Sequence, residues 1–323
     1  MAPPPAQPDP EELGRRLAAG DRGAAPAALN VIEDRSPRGR AGAAALLASV
    51  GGEARSHLVG VTGPPGAGKS SLLSALVARW RASGRTVAVL AVDPSSKRSG
   101  GSLLGDRARI EHDPRDDGVL IRSTAAGGRL GGLAAPTRDA AFALAAAFDL
   151  VVVETVGVGQ SETDVEELCD TTAVVVQPAS GDTLQFLKAG IMEVPDVLVV
   201  TKADLGTVAL RAQRDLRAAL RSLGVRDTPV VSVSSVPPVA GIDDLVAALD
   251  EHGERIDVAA ARLRSKRLAA LADFTAENGE RALRALGGRR AAEKLLADED
   301  PALSVAELTA RLQTRAEAAP GTP

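Results

Sequence analysis

Residues 57 to 76 read HLVGVTGPPGAGKSSLLSAL. Leu58, Val59 and Val61 form a short apolar run of the β type. The pattern Gly63-x4-Gly68-Lys69-Ser70 follows it, and a helix is expected from Ser71 onward. Strand, glycine turn and helix therefore come in the order that a phosphate-binding loop needs. The backbone of Gly63, Pro64, Pro65, Gly66, Ala67 and Gly68 wraps tightly enough to aim N–H groups inward at phosphate oxygens. The N-terminus of the helix expected from Ser71 adds about half a positive charge beside Lys69 and Ser70. On this reading Lys69, placed on an exposed loop, bridges the β- and γ-phosphates of a nucleotide, and Ser70 holds Mg²⁺. An accidental match to the pattern is expected at well under about one in a hundred in a chain this poor in lysine.

Outward from this segment, strand and helix patterns alternate. Strands are expected at 86–92, 119–121, 150–153, 172–176, 197–200 and 230–233, with helices at 134–148, 184–191, 207–223 and 242–252. The run Leu150–Val153 is continuously apolar, as it must be when both faces of a parallel sheet are covered. Such alternation predicts a doubly wound α/β domain with ligands beyond the carboxyl ends of its strands. Residues 11–54 read as two or three short helices, an N-terminal extension behind a proline-rich stretch (1–10) expected to be disordered. Beyond the α/β domain (55–253) the strands stop, and residues 254–323 read as a helical arm broken at Gly287-Gly288 and Asp300-Pro301.

The remaining chemistry also falls at strand ends. Thr201-Lys202-Ala203-Asp204 resembles the guanine-reading NKxD motif of G proteins, with Thr in place of Asn. A carboxylate at Asp204 can accept from guanine N1–H and the exocyclic amine, a donor pair that adenine lacks, while the Lys202 stem lies over the base plane. Thr201 is shorter than Asn and has no amide, so fewer contacts are expected there, at a cost in affinity more than in base choice. Ser234, Ser235 and Val236 follow the next strand, where G proteins place the loop that touches guanine O6. Glu154-Thr155-Val156-Gly157 stands where G proteins have DxxG: Glu154 is a candidate Mg²⁺ ligand, and Gly157 can offer its N–H to the γ-phosphate.

Composition narrows the classes. The chain has 323 residues, 45% hydrophobic and 25% charged, with a formal charge of −4 and a pI near 5.6. Neither nucleic acid nor an anionic membrane is an expected partner, and no apolar run approaches the eighteen or so residues of a span. One cysteine, Cys169, excludes an internal disulfide and suits a reducing compartment. The start MAPPPAQPDPEE is acidic and proline-rich, unlike a secretory or transit signal, so a cytoplasmic protein is expected. Of 38 basic residues only six are lysines (69, 97, 188, 202, 266, 294), which singles out Lys69, Lys188 and Lys202 as places where an arginine fork would not fit.

Taken together, GPPGAGKSS, VDPSS, GGSLLGD, LGGLA and above all ETVGVGQSE resemble the MeaB/ArgK-type G proteins, whose human relative is MMAA. The resemblance runs from about residue 11 to at least 255. It implies a P-loop GTPase of the signal-recognition-particle-like class, acting as a chaperone for adenosylcobalamin-dependent methylmalonyl-CoA mutase or a close relative, gating its cofactor loading and protecting it from inactivation. Carried over by position, Asp93, Asp106 and Glu154 surround Mg²⁺ and the attacking water, and Gln160 shares their switch loop. Asp182, Gln185 and Lys188 match a further switch that reports nucleotide state to the partner. The C-terminal helices match a dimerisation arm, which implies a homodimer. Gly127-Gly128 stands where relatives commonly have Arg-Gly. The alternative within the class is a metallochaperone that delivers nickel, against which the three scattered histidines and lone cysteine argue.

Overall fold

The computed structural model describes residues 8–51, 56–93, 110–125, 135–155, 161–178, 195–301 and 303–318, with only the backbone path at 93, 125 and 161–164. The chain divides into two compact units, Met1–Ile256 and Asp257–Pro323.

The first unit is built on a seven-stranded sheet in which every pairing is parallel. Its strands are β1 (His57–Thr62), β2 (Val87–Asp93), β3 (Val119–Ala125), β4 (Leu150–Thr155), β5 (Thr171–Val176), β6 (Val197–Val200) and β7 (Val230–Ser232), in the order β3-β2-β4-β1-β5-β6-β7. β1 lies at the centre, and the chain winds outward from it in both directions. Parallel strands need helical crossovers, so helices cover both faces and the strands lose the polar alternation of a half-exposed sheet. All six residues of β4 are buried accordingly.

Alternate side chains of the strands feed two layers. Val59, Val61, Val89, Val152, Val175 and Val199 pack against α4 (Lys69–Ala82) and α8 (Ile242–Arg255), with Trp80 wholly buried among them. Leu58, Leu90, Val151 and Val153 face the other way, against α5 (Ala135–Leu144) and α6 (Ser161–Leu168). The same core takes in α1 (Pro10–Ala18), α2 (Ala25–Glu33) and α3 (Pro37–Val50) through Leu13, Leu17, Leu29, Ile32 and Leu46. The helices expected as an extension therefore share this core and pack on α5, and Arg122 on β3 ties α2 down by an ion pair to Glu33 and a hydrogen bond to Asn30. Val174, Val176, Leu198 and Val200 pack under α7 (Thr207–Ser222).

In the second unit α9 (Val258–Ala285), α10 (Arg289–Ala297) and α11 (Val305–Ala318) enclose Ala270, Leu271, Phe274, Leu296, Leu308 and Leu312. Asp257 caps α9 by accepting from Ala260 N–H, and Ser304 with Glu307 forms a reciprocal capping box at α11. Gly279, at φ 77 and ψ 171, breaks α9 into two helical stretches. Glycine readily adopts the left-handed conformation that interrupts the ladder there. Among the described residues, no helix is long and apolar enough to cross a membrane.

Candidate nucleotide site

The glycine turn sits at the carboxyl end of the central strand, where β1 hands the chain to α4. Gly63 has φ 146, and a Cβ there would lie 2.2 Å from the Val175 carbonyl oxygen on β5, so only glycine lets the loop leave the sheet at this angle. Gly66 and Gly68 are also left-handed, and Gly68 immediately precedes the first residue of α4. The first-turn N–H groups of α4 lack carbonyl partners within the helix and belong to the cradle.

Lys69 is the first residue of that helix and is 7% exposed, so it differs from the exposed-loop lysine expected from the glycine run. Its ammonium donates to the carbonyls of Gly63 (2.8 Å) and Pro64 (3.3 Å) and lies 3.9 Å from Glu154 Oε1 at the end of β4. Glu154 is 3% exposed, and a carboxylate so buried needs a cation beside it. Register explains the meeting: Val61 of β1 is paired with Glu154, so the residue that ends β4 stands beside the strand that delivers the loop. Thr155 donates to Thr62 at 3.1 Å across the same two strand ends, and both hydroxyls are buried.

The base-reading motif is tied to the phosphate loop directly. Thr201 is 3% exposed, and its hydroxyl lies 2.6 Å from the Ala67 carbonyl and 3.1 Å from that of Val176. One hydroxyl hydrogen serves both, and Val176 O already accepts the Thr201 N–H, so the distinctive bond is the one to Ala67. Lys202 adopts a left-handed conformation (φ 54) and points its ammonium at Gln177 Oε1 (2.6 Å) and Gly66 O (3.5 Å). Gln177, which follows β5, was not singled out by sequence reasoning. No motif marks it, and only the β5–β6 pairing brings it beside Lys202.

Asp204 lies in the 3-10 turn Ala203–Leu205, held to the next strand by the Ala203 N–H donating to Val233 O. The Ser234 hydroxyl reaches Asp204 Oδ1 at 3.2 Å and Val236 O at 3.0 Å. Backbone bonds in both directions between Ser234 and Ala240 close the loop, and Gly241 (φ 75) follows where a Cβ would lie 2.1 Å from Ser232 O. Leu205 and Val236 flank this edge with about half or more of their surface exposed, 50% and 60%.

The structure therefore brings together the P-loop, Lys69, Glu154, Thr201, Lys202, Asp204 and Ser234 along adjacent strand ends. Asp93 ends β2, paired with Ala125. Asp106, Gly127, Gly157, Gln160, Asp182, Gln185 and Lys188, and the expected helix 184–191, lie outside the described residues.

Comparison with known proteins gives a consistent result. The family model described as "Methylmalonyl Co-A mutase-associated GTPase MeaB" matches residues 25–285. A Pyrococcus abyssi relative carrying a provisional GTPase name is 40% identical over 264 residues, 80% of each chain. A Caenorhabditis elegans protein named as a mitochondrial methylmalonic aciduria type A homolog is 38% identical over 267 residues, 77% of this chain and 67% of that one. The crystal structure of a LAO/AO transport system kinase superposes with a TM-score of 0.65 at 28% identity, covering 97% of this chain and 99% of the other.

Proposed function

The chain belongs to the MeaB family of methylmalonyl-CoA mutase-associated GTPases, and we propose that it is a GTP-hydrolysing chaperone of an adenosylcobalamin-dependent acyl-CoA mutase. On this reading it gates cofactor loading, protects the mutase from inactivation, and hydrolyses GTP slowly alone and faster with its partner. The observation that carries the proposal is the clasp of Thr201 and Lys202 onto the carbonyls of Ala67 and Gly66. It joins a loop with guanine-reading chemistry to a loop with phosphate-binding chemistry.

Each residue then has a role. The P-loop amides and Lys69 neutralise the β- and γ-phosphates, Asp204 reads guanine with Ser234 steadying its carboxylate, and Lys202 covers the base plane. Ser70, next to Lys69 in the chain, and Glu154, beside the Lys69 ammonium, carry hard oxygen donors, the donor type that Mg²⁺ takes, and the motifs add Asp93 and Asp106. When bound, Mg²⁺ supplies charge neutralisation on the phosphates. Gln160 and the neighbouring carboxylates orient water, and Gly157 senses the γ-phosphate. Asp182, Gln185 and Lys188 form the switch that reports nucleotide state, and the helices of 254–323 pair two copies into a homodimer. The single cysteine supports a cytoplasmic location.

Nickel delivery, the other reading, draws no support from the described residues, which hold no group of His, Cys, Asp and Glu placed for a metal ion. The test is affinity capture from native cell extract with this chain loaded with a nonhydrolysable GTP analogue. Recovery of a cobalamin-dependent mutase is the expected result. Its absence, with GTP bound and hydrolysed normally, would overturn the partner assignment while leaving the GTPase standing.

A further inference from the structure

At the end of the sheet opposite the nucleotide loops, four side chains from four elements are linked in one chain of hydrogen bonds. Asp196, just before β6, lies 3.1 Å from His252 Nε2 near the end of α8. His252 Nδ1 is 2.8 Å from Thr171 Oγ1 at the start of β5. The same hydroxyl is 2.7 Å from Nε2 of His57, the first residue of β1. Thr171 is completely buried. Gly253 makes room for the chain: a Cβ there would lie 2.8 Å from the His57 ring.

Valence fixes the direction of these bonds. Thr171 has one hydroxyl hydrogen and two lone pairs; accepting from both imidazoles would strand that hydrogen in a fully buried site, so the satisfied arrangement donates to one imidazole and accepts from the other. With His252 Nε2–H donating to the Asp196 carboxylate, a neutral His252 leaves Nδ1 as acceptor. Thr171 must then donate to His252, and His57 must donate from Nε2 to Thr171. If His252 becomes an imidazolium, Nδ1 also carries hydrogen and donates to Thr171. The threonine then turns its hydrogen to His57 Nε2, which must accept, leaving His57 neutral with its hydrogen on Nδ1. One proton has been gained, every bond survives, and two of the three have reversed.

We propose that His57, Thr171, His252 and Asp196 form a proton-binding relay in which uptake of one proton charges His252 and switches the tautomer of His57. The charge belongs on His252 because Asp196 faces it directly and the C-terminal turn of α8 favours a cation. Asp196 is held in place, its second oxygen accepting the Thr172 N–H at 2.8 Å. Among the described residues, the other charged groups near the chain have contacts of their own. The Asp170 carboxylate accepts the Leu58 N–H, Glu251 pairs with Arg255, Asp250 pairs with Arg85, and the Asp149 carboxylate accepts the Thr86 N–H. Burial, with Asp170 and Asp196 adding to it, pushes the Cys169 thiol well up, so it stays protonated.

The chain has three histidines, and His112, on the Ile110 carbonyl, lies outside the relay and serves as an internal control. Long-range proton–nitrogen correlation spectra of the ¹⁵N-labelled full chain, recorded between about pH 5 and 8 where imidazoles titrate, read charge and tautomer for each ring. The expected result is one shared midpoint at which His252 becomes a cation while His57 passes from Nε2–H to Nδ1–H and stays neutral. A separate midpoint for each ring, a His57 that itself becomes a cation, or a His57 of fixed tautomer would overturn the relay. In Thr171→Val the His57 switch should disappear while His252 still titrates, and persistence of the switch would overturn the role of Thr171. Should that variant fail to fold, the wild-type spectra alone decide.

Discussion

Thr201→Val offers the sharpest test of how the two loops are joined. Valine has nearly the same shape as threonine, so the buried methyl packing is kept and only the hydroxyl is lost. The Val176 carbonyl retains the Thr201 N–H, while Ala67, itself wholly buried, loses the 2.6 Å donor on its carbonyl. Loss of a partner by one buried acceptor costs about 1–3 kcal/mol. If the clasp holds the P-loop in its phosphate-binding form, that cost falls on nucleotide affinity. Weakening of roughly 5- to 150-fold is then expected. GTP and GDP should weaken by equal factors, because Ala67 belongs to the shared cradle. Thr201→Ser keeps the donor and should stay within a few-fold of wild type. Competition titration with a fluorescent guanine nucleotide, run on all three proteins, gives the ratios. A Val variant that binds both nucleotides within about twofold of wild type would refute the clasp, as would a Ser variant as weak as Val.

Lys69→Ala should weaken nucleotide by at least about a hundredfold, since charge-assisted bonds of about 1.5–3 kcal/mol each are lost. It should also lower thermal stability by removing a cation 3.9 Å from buried Glu154. Adding Glu154→Gln should restore the melting temperature without restoring binding, and a single variant that melts like wild type would refute the pairing. Asp204→Asn should cost guanine nucleotides one to two orders of magnitude, about 1.5–3 kcal/mol, and shift preference to xanthosine triphosphate; retained GTP preference would show that another group reads the base. Gln177→Ala removes the 2.6 Å acceptor of Lys202, and a rise of about fivefold in KM with little change in kcat is expected. Lys188→Ala should leave basal turnover within a few-fold while abolishing most of the stimulation by the mutase, measured as GTP turnover with and without the partner.

Much of this protein is legible without coordinates because its signals are local. A parallel strand buried on both faces has to be apolar throughout, so Leu150–Val153 and Val197–Val200 declare themselves. The P-loop glycines announce left-handed backbone, which the structure places at Gly63, Gly66 and Gly68.

What local pattern could not carry is the set of contacts made between distant strands. Thr201 meets Ala67 across 134 residues, and His57 meets Thr171 across 114. Both contacts depend on the order β1-β5-β6 and on a register that a one-residue slip would destroy. The burial of Lys69, the place of Gln177 beside Lys202 and the packing of the first three helices against α5 arise in the same way. Residue chemistry names what each strand end can do. Only the sheet, by fixing which ends are neighbours, decides which of those groups share a site.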